Sequence, residues 1–166
     1  MAQTVMAGLM TCSPPAPLPP HLASWLEQAD HGVVFVSFGS VITAAKMPEE
    51  KRLMMVRVFS RLEQRVVWKW ETEMEDVPAN VLLSSWLPQP SLLADPKVRV
   101  FVTHGGAGSL QETICHQTPI VGIPVHGDQF PNTQEAVNKV RSDSWQPPGL
   151  LHTHGRVSEF EWTGAP

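Results

Sequence analysis

The run at residues 86–129, WLPQPSLLADPKVRVFVTHGGAGSLQETICHQTPIVGIPVHGDQ, limits what this chain can fold into more than any other stretch. Residues 98–102 (VRVFV) are β-branched and aromatic and read as a strand. Residues 104–109 (HGGAGS) break it, because glycine accepts backbone angles that other residues resist. Ser109 is followed three residues on by Glu112, a capping-box spacing that predicts a helix beginning at Ser109. Free N–H groups and the positive end of the helix dipole then meet at the Gly-rich turn, where phosphate and other anions bind well. Residues 120–124 (IVGIP) predict a second buried strand, with residues 126–129 (HGDQ) just past its end. In an open α/β sheet that edge is where ligands bind.

The rest of the chain supplies the other elements of such a sheet. Residues 13–20 (SPPAPLPP) are too proline-dense for a helix, so residues 1–20 read as a linker. A short helix is expected at 22–28, with Leu22, Trp25 and Leu26 on one face. Residues 33–38 are continuously apolar, as in a strand buried on both faces of a parallel sheet. Pro48 suits a helix start, Glu49 and Glu50 suit its positive end, and Met55, Phe59 and Leu62 form a core-facing stripe up to about Gln64. Strands follow at 66–70 and 81–84, one or two helical turns at 90–94, and a helix at 131–140. This order predicts a mostly parallel sheet with helices on both faces. From about Arg141 no period continues. The domain is therefore expected at 21–140, with an atypical, disordered tail at 141–166.

Length and composition narrow the function. A chain of 166 residues suggests one domain, and a net charge of −4 with no Lys/Arg block leaves no footprint for nucleic acid. Cys12 and Cys115 are too few and too far apart to read as a disulfide framework. No apolar run approaches the roughly 20 residues of a membrane helix, and residues 5–10 lack the basic flank of a signal peptide. The acidic loop Glu71, Glu73, Glu75, Asp76 has no fixed metal-ligand spacing and reads as solvated. His152 and His154 match no zinc pattern, so no metal site is expected. Cys115 and His116 are sequential on a helix, so they point about 100° apart and do not form a nucleophile pair. The dinucleotide fingerprint G-x-G-x-x-G fails at Gln111, which argues against a nicotinamide enzyme.

Several side chains along the predicted sheet edge carry chemistry. Trp86 precedes a Leu-Pro pair in a loop, and an exposed indole there stacks on a flat base, against the plainer reading of core packing. Gln89 offers an amide donor and acceptor. His104 sits at the mouth of the Gly-rich turn, where its ring can donate to an anion. Gly105 and Gly106 imply that the backbone comes close to something, a ligand or a neighbouring strand. Ser109 and Glu112 serve equally as a capping box or as ligand contacts, and the two readings compete for the same atoms. Asp128 and Gln129 make either a turn before Pro131 or a pair that holds several hydroxyls. Ser40, after the strand at 33–38, is a weaker candidate on the same edge, and His126 is open to confusion with a catalytic histidine.

WLPQ at 86–89, THGG at 103–106, Ser109, Glu112, PIVGIP at 119–124 and DQ at 128–129 together resemble the signature of the UDP-glycosyltransferases, which include the UDP-glucuronosyltransferases. FVSFGS at 35–40, MPEEKR at 47–52 and VVWKWE at 66–71 are similar to invertebrate members of that family. The resemblance spans residues 17–139 and only the second half of the family's architecture. It implies a Rossmann-like α/β domain, the C-terminal domain of a GT-B glycosyltransferase, truncated at its C-terminus. It also implies donor-binding roles: Trp86 on uracil, Gln89 and Glu112 on ribose, His104, Gly105, Gly106 and Ser109 on diphosphate, Asp128 and Gln129 on the sugar, and Ser40 on either of the last two. Many members carry Asn where Gly108 stands, so one phosphate contact is absent here. The implied reaction is inverting transfer of a hexosyl or glucuronosyl group from a UDP-sugar to the hydroxyl of a small lipophilic acceptor, with no other cofactor. The family's base, a His assisted by an Asp, belongs to the first domain, so no catalytic residue is expected in this chain, which is then inactive alone. The family works in the endoplasmic reticulum membrane with a luminal active site, and the missing leader and anchor signals leave this chain's compartment open. A second expectation is a non-catalytic module that associates with full-length glycosyltransferases as a hetero-oligomer and modulates them. Neither UDP-glucose nor UDP-glucuronate is singled out.

Overall fold

The computed structural model describes residues 12–40 and 43–141. Of the tail expected at 141–166, Arg141 ends a helix and residues 142–166 lie outside the described residues, as do residues 1–11 of the expected linker. Among the described residues, five parallel strands form one sheet in the order β3-β2-β1-β4-β5, with β1 at Val33–Ser37, β2 at Arg65–Lys69, β3 at Val81–Ser84, β4 at Val98–Thr103 and β5 at Ile120–Gly122. The strand order reverses between β1 and β4. At such a switch point the loops leaving two neighbouring strands diverge to opposite faces and leave a crevice at the carboxyl ends.

Helices cover both faces. On one side α1 (Pro20–Glu27), α3 (Gln89–Leu93), α4 (Ala107–His116) and α5 (Gln129–Arg141) pack on Val33, Phe35, Val67 and Phe101. Phe35 and Phe101 face each other across β1 and β4 and stack with ring centroids 4.7 Å apart, which fills the centre of that layer. On the other side α2 (Glu49–Phe59) buries Met55 and Phe59 against Val66, Trp68 and Val102. Leu62, the third member of the expected stripe, is partly buried in the same cluster, but the helix has already ended at Phe59. All five residues of β1 are buried, the two-sided burial that its unbroken apolar run requires. A short 3-10 turn at Ala44–Lys46 is an addition that no periodicity signals.

Two expectations change. The helix after the Gly-rich turn begins at Ala107, not Ser109, with Gly106 as its N-cap and no side-chain cap. Ser109 is inside the first turn and Glu112 is a turn further on, so the capping box is not formed. The extended backbone of Gly106 (φ −63°, ψ 138°) already turns the chain into the helix two residues earlier. The two cysteines are also not independent. Cys12 and Cys115 form a disulfide, their Cα atoms 5.6 Å apart across 103 residues of sequence. Sequence distance misleads here because the proline-rich segment runs back over α3 and α4. Ala16 N–H donates to Ser91 Oγ at 3.0 Å along the same path. Among the described residues no helix is long and apolar enough to cross a membrane.

Candidate functional site

The crevice at the switch point is lined by what leaves β1 and β4. Gly39, just after β1, takes φ +82°, and Gly105, just after β4, takes φ +83°, left-handed values that a side chain resists. Between them lies the ring of His104. A Cβ on Gly39 would come to 2.7 Å from His104 Cε1, and one on Gly106 to 2.6 Å from His104 Nε2. The imidazole therefore occupies a slot that exists only because both walls are glycine. Its Nδ1 is buried with no hydrogen-bond partner among the described residues. Burial pushes the His104 pKa below the ordinary 6.5; the Asp128 carboxylate opposes this, and His126 adds to it.

Gly105 answers a different need. A Cβ there would collide with Thr133 Oγ1 of α5, and a Cβ on Gly122 would strike the same side chain. These glycines let α5 close over the ends of β4 and β5. The close approach foreseen for Gly105 and Gly106 is thus to α5 and to the His104 ring. Immediately beyond, the N–H groups of Ala107, Gly108 and Ser109 begin α4, while that of Leu110 already donates to Gly106 O at 3.0 Å. The first three have no acceptor within a helix that starts there.

The loop after β1 is tied down from the opposite side. Lys69 Nζ donates to Gly39 O at 3.0 Å and pairs with Glu71 at 2.9 Å, and the other Glu71 oxygen accepts from Ala45 N–H at 3.2 Å. Glu71 thus leaves the expected solvated acidic loop and braces the segment that carries Ser40, which is exposed at the sheet edge. Among the described residues no group of three or more His, Cys, Asp or Glu is placed to hold a metal ion.

The α3 side brings distant residues together. Leu87 is buried and anchors its loop, while Trp86 beside it is 75% exposed. Gln89 opens α3, and its Nε2 donates to Glu112 at 2.6 Å and to Ser109 Oγ at 3.1 Å. Ser109 and Glu112, freed from capping, thus hold α3 against α4.

At the β5 end, Asp128 is exposed and accepts from Asn132 Nδ2 at 3.0 Å. Gln129 is 4% exposed, and its Oε1 accepts from Val125 N–H at 2.8 Å and His126 N–H at 3.0 Å. Its Nε2 lies 3.0 Å from His126 Nδ1. The sequence pattern gave no hint that this amide would turn inward. Trp86, Gln89, Ser109 and Glu112 therefore stand at one end, His104 and the α4 start in the middle, and the exposed His126 and Asp128 at the other end; Gln129, expected beside Asp128, faces inward because its amide serves the 125–126 loop.

The family described as UDP-glucoronosyl and UDP-glucosyl transferase matches residues 1–143. A UDP-glycosyltransferase of Dactylopius coccus is 43% identical over 129 residues, covering 77% of this chain and 25% of that protein. A UDP-glucuronosyltransferase of Macaca fascicularis is 36% identical over 129 residues, covering 76% of this chain and 24% of that protein. The chain thus spans about a quarter of the length of the curated relatives it matches. Among solved structures, a glycosyltransferase of Arabidopsis thaliana in complex with UDP superposes with a TM-score of 0.64 at 24% identity, over 75% of this chain and 32% of that one, a likeness of fold.

Proposed function

The chain belongs to the UDP-glucoronosyl and UDP-glucosyl transferase family, with the GT-B fold, and from that premise we propose that it binds the UDP-sugar donor of a glycosyl transfer. The transfer is that of a hexosyl or glucuronosyl group to a hydroxyl of a small lipophilic acceptor, with inversion. The acceptor pocket and the base that deprotonates the acceptor are assigned to residues outside this chain, which alone binds donor without transferring it.

The assignment runs along the crevice. Trp86 stacks on uracil. Gln89 and Glu112 hold the ribose, using the carboxylate oxygen that Gln89 does not occupy. The diphosphate lies against the N–H groups that open α4, with Ser109, His104 and the glycine backbone around it and Ser40 across from it. Charge that grows on the leaving UDP meets donors already fixed in place. Asp128 closes the sugar end, while Gln129, expected from the resemblance to share that role, is turned inward and braces the loop that carries it.

The observation that carries this reading is Trp86, a large indole held out at 75% exposure in the loop just before α3, whose Gln89 is tied to Ser109 and Glu112 of α4. Titration calorimetry of the folded chain with UDP tests it. Heat corresponding to millimolar affinity or tighter, about −4 kcal/mol or better, is expected. A folded sample that gives no heat at millimolar UDP overturns the reading.

A further inference from the structure

His126 has no role in the assignment above, yet the packing around it is specific. Two backbone N–H groups, of Val125 and His126, converge on one side-chain atom of Gln129. Two donors can meet only at an acceptor, so that atom is the amide oxygen, and the amide cannot be turned over. Its nitrogen is therefore the donor in the 3.0 Å contact to His126 Nδ1. A ring nitrogen that accepts carries no proton, so in the neutral ring the proton sits on Nε2. Gln129, nearly fully enclosed, thus sets both the orientation and the tautomer of an exposed imidazole.

The position of that imidazole gives the N–H a use. His126 follows β5, at the far end of the crevice from Trp86, close to His104 and two residues from the exposed carboxylate of Asp128. With the base at Trp86 and the diphosphate at His104 and α4, the sugar lies at this end. A neutral N–H donor beside a carboxylate acceptor is a matched pair for a polyhydroxylated ring, in which one oxygen accepts while a neighbouring hydroxyl donates.

We propose that His126 is a sugar-reading residue of the donor site, giving its Nε2–H to an oxygen of the hexose, and that Gln129 is its positioning residue. This rests on the donor-site reading above and adds to it the group that distinguishes a UDP-sugar from UDP.

The test compares UDP with UDP-glucose by calorimetry on the whole chain, for the native protein and for His126→Leu, His126→Gln and Gln129→Met. The native chain binds UDP-glucose about three- to tenfold tighter than UDP, the size of one hydrogen bond. His126→Leu loses that gain and leaves UDP affinity within twofold, while His126→Gln, which keeps an N–H donor, retains part of it. Gln129→Met frees the ring and loses the gain as well. Long-range proton–nitrogen spectra of the native chain find the His126 proton on Nε2, and its signal moves with UDP-glucose but not with UDP. A sugar gain that survives His126→Leu, the absence of any gain in the native chain, or a proton on Nδ1 overturns the proposal while UDP still binds. Loss of UDP binding itself overturns the donor-site reading instead. Should Gln129→Met not fold, the spectra and His126→Leu still decide.

Discussion

Replacing Gly106 by Ala isolates the slot around His104. The backbone of Gly106 has φ −63° and ψ 138°, which alanine adopts freely, so the substitution brings no backbone strain. The added methyl would come to 2.6 Å from His104 Nε2, about 1 Å inside the ordinary contact distance of ~3.5–4.0 Å. The ring cannot retreat, because Gly39 bounds its other side so closely that a Cβ there would sit 2.7 Å from Cε1. Overpacking of this kind costs about 1–3 kcal/mol. The loss of a glycine N-cap in favour of alanine adds up to about 1 kcal/mol. Gly108 is the control. It lies inside α4, nothing among the described residues approaches its Cβ position within 4 Å, and alanine there should stabilise by about 0.5–1 kcal/mol. Urea denaturation followed by tryptophan fluorescence measures both. In a His104→Ala background the cost of Gly106→Ala should fall to its capping part, leaving a coupling of at least about 1 kcal/mol. A Gly106→Ala variant as stable as the parent, or a coupling near zero, would refute the slot.

The disulfide predicts that intact mass under non-reducing conditions falls short of the dithiol by two hydrogens, and that neither Cys12 nor Cys115 alkylates in the folded chain. Closing a loop of about a hundred residues stabilises by up to ~4–5 kcal/mol, so reduction should lower the urea midpoint; ready alkylation without denaturant would sink the pairing. The depressed pKa of His104 means that the fold favours its neutral form. That contribution is fully present above the unfolded value near 6.5 and is lost as pH falls from there through the lower folded value. The native chain should therefore lose stability below that pH more steeply than His104→Gln, and equal slopes would contradict it. A bound diphosphate favours the charged ring, so UDP binding should take up protons, read as different heats in buffers of different ionisation enthalpy. Trp86→Ala should leave stability within about 0.5 kcal/mol, since the side chain is exposed, yet weaken UDP binding by ~1–3 kcal/mol; unchanged affinity would remove the stacking role.

The strands were legible because each is a compact apolar run whose period says which faces are buried. Residues 33–38 and 98–102 anticipated β1 and β4 to within a residue. Their adjacency was not legible. That β4 pairs with β1 while β2 and β3 continue on the other side follows from packing over some sixty residues, to which no local pattern is sensitive. The same limit explains the disulfide, whose halves meet only after the proline-rich segment folds back over α4.

Ser109 and Glu112 had two readings in the sequence, a local cap or ligand contacts, and the structure removes the first. Their spacing fits a local cap, and a local reading has no place for Gln89, twenty residues earlier on another helix. Once Gly106 supplies the cap, the hydroxyl and the carboxylate are released from the helix end, and Gln89 uses both to bring α3 onto α4. The glycine that starts the helix early thereby does two things. It makes room for the His104 ring, and it leaves the first N–H groups of α4 without a side-chain cap, facing the crevice between β1 and β4. A capping side chain at that position would satisfy the helix by itself and compete with any anion for the same N–H groups. An uncapped helix start beside a histidine held by its packing leaves those N–H groups free for a negatively charged group, and this is the local departure from the sequence pattern on which the proposed diphosphate site rests.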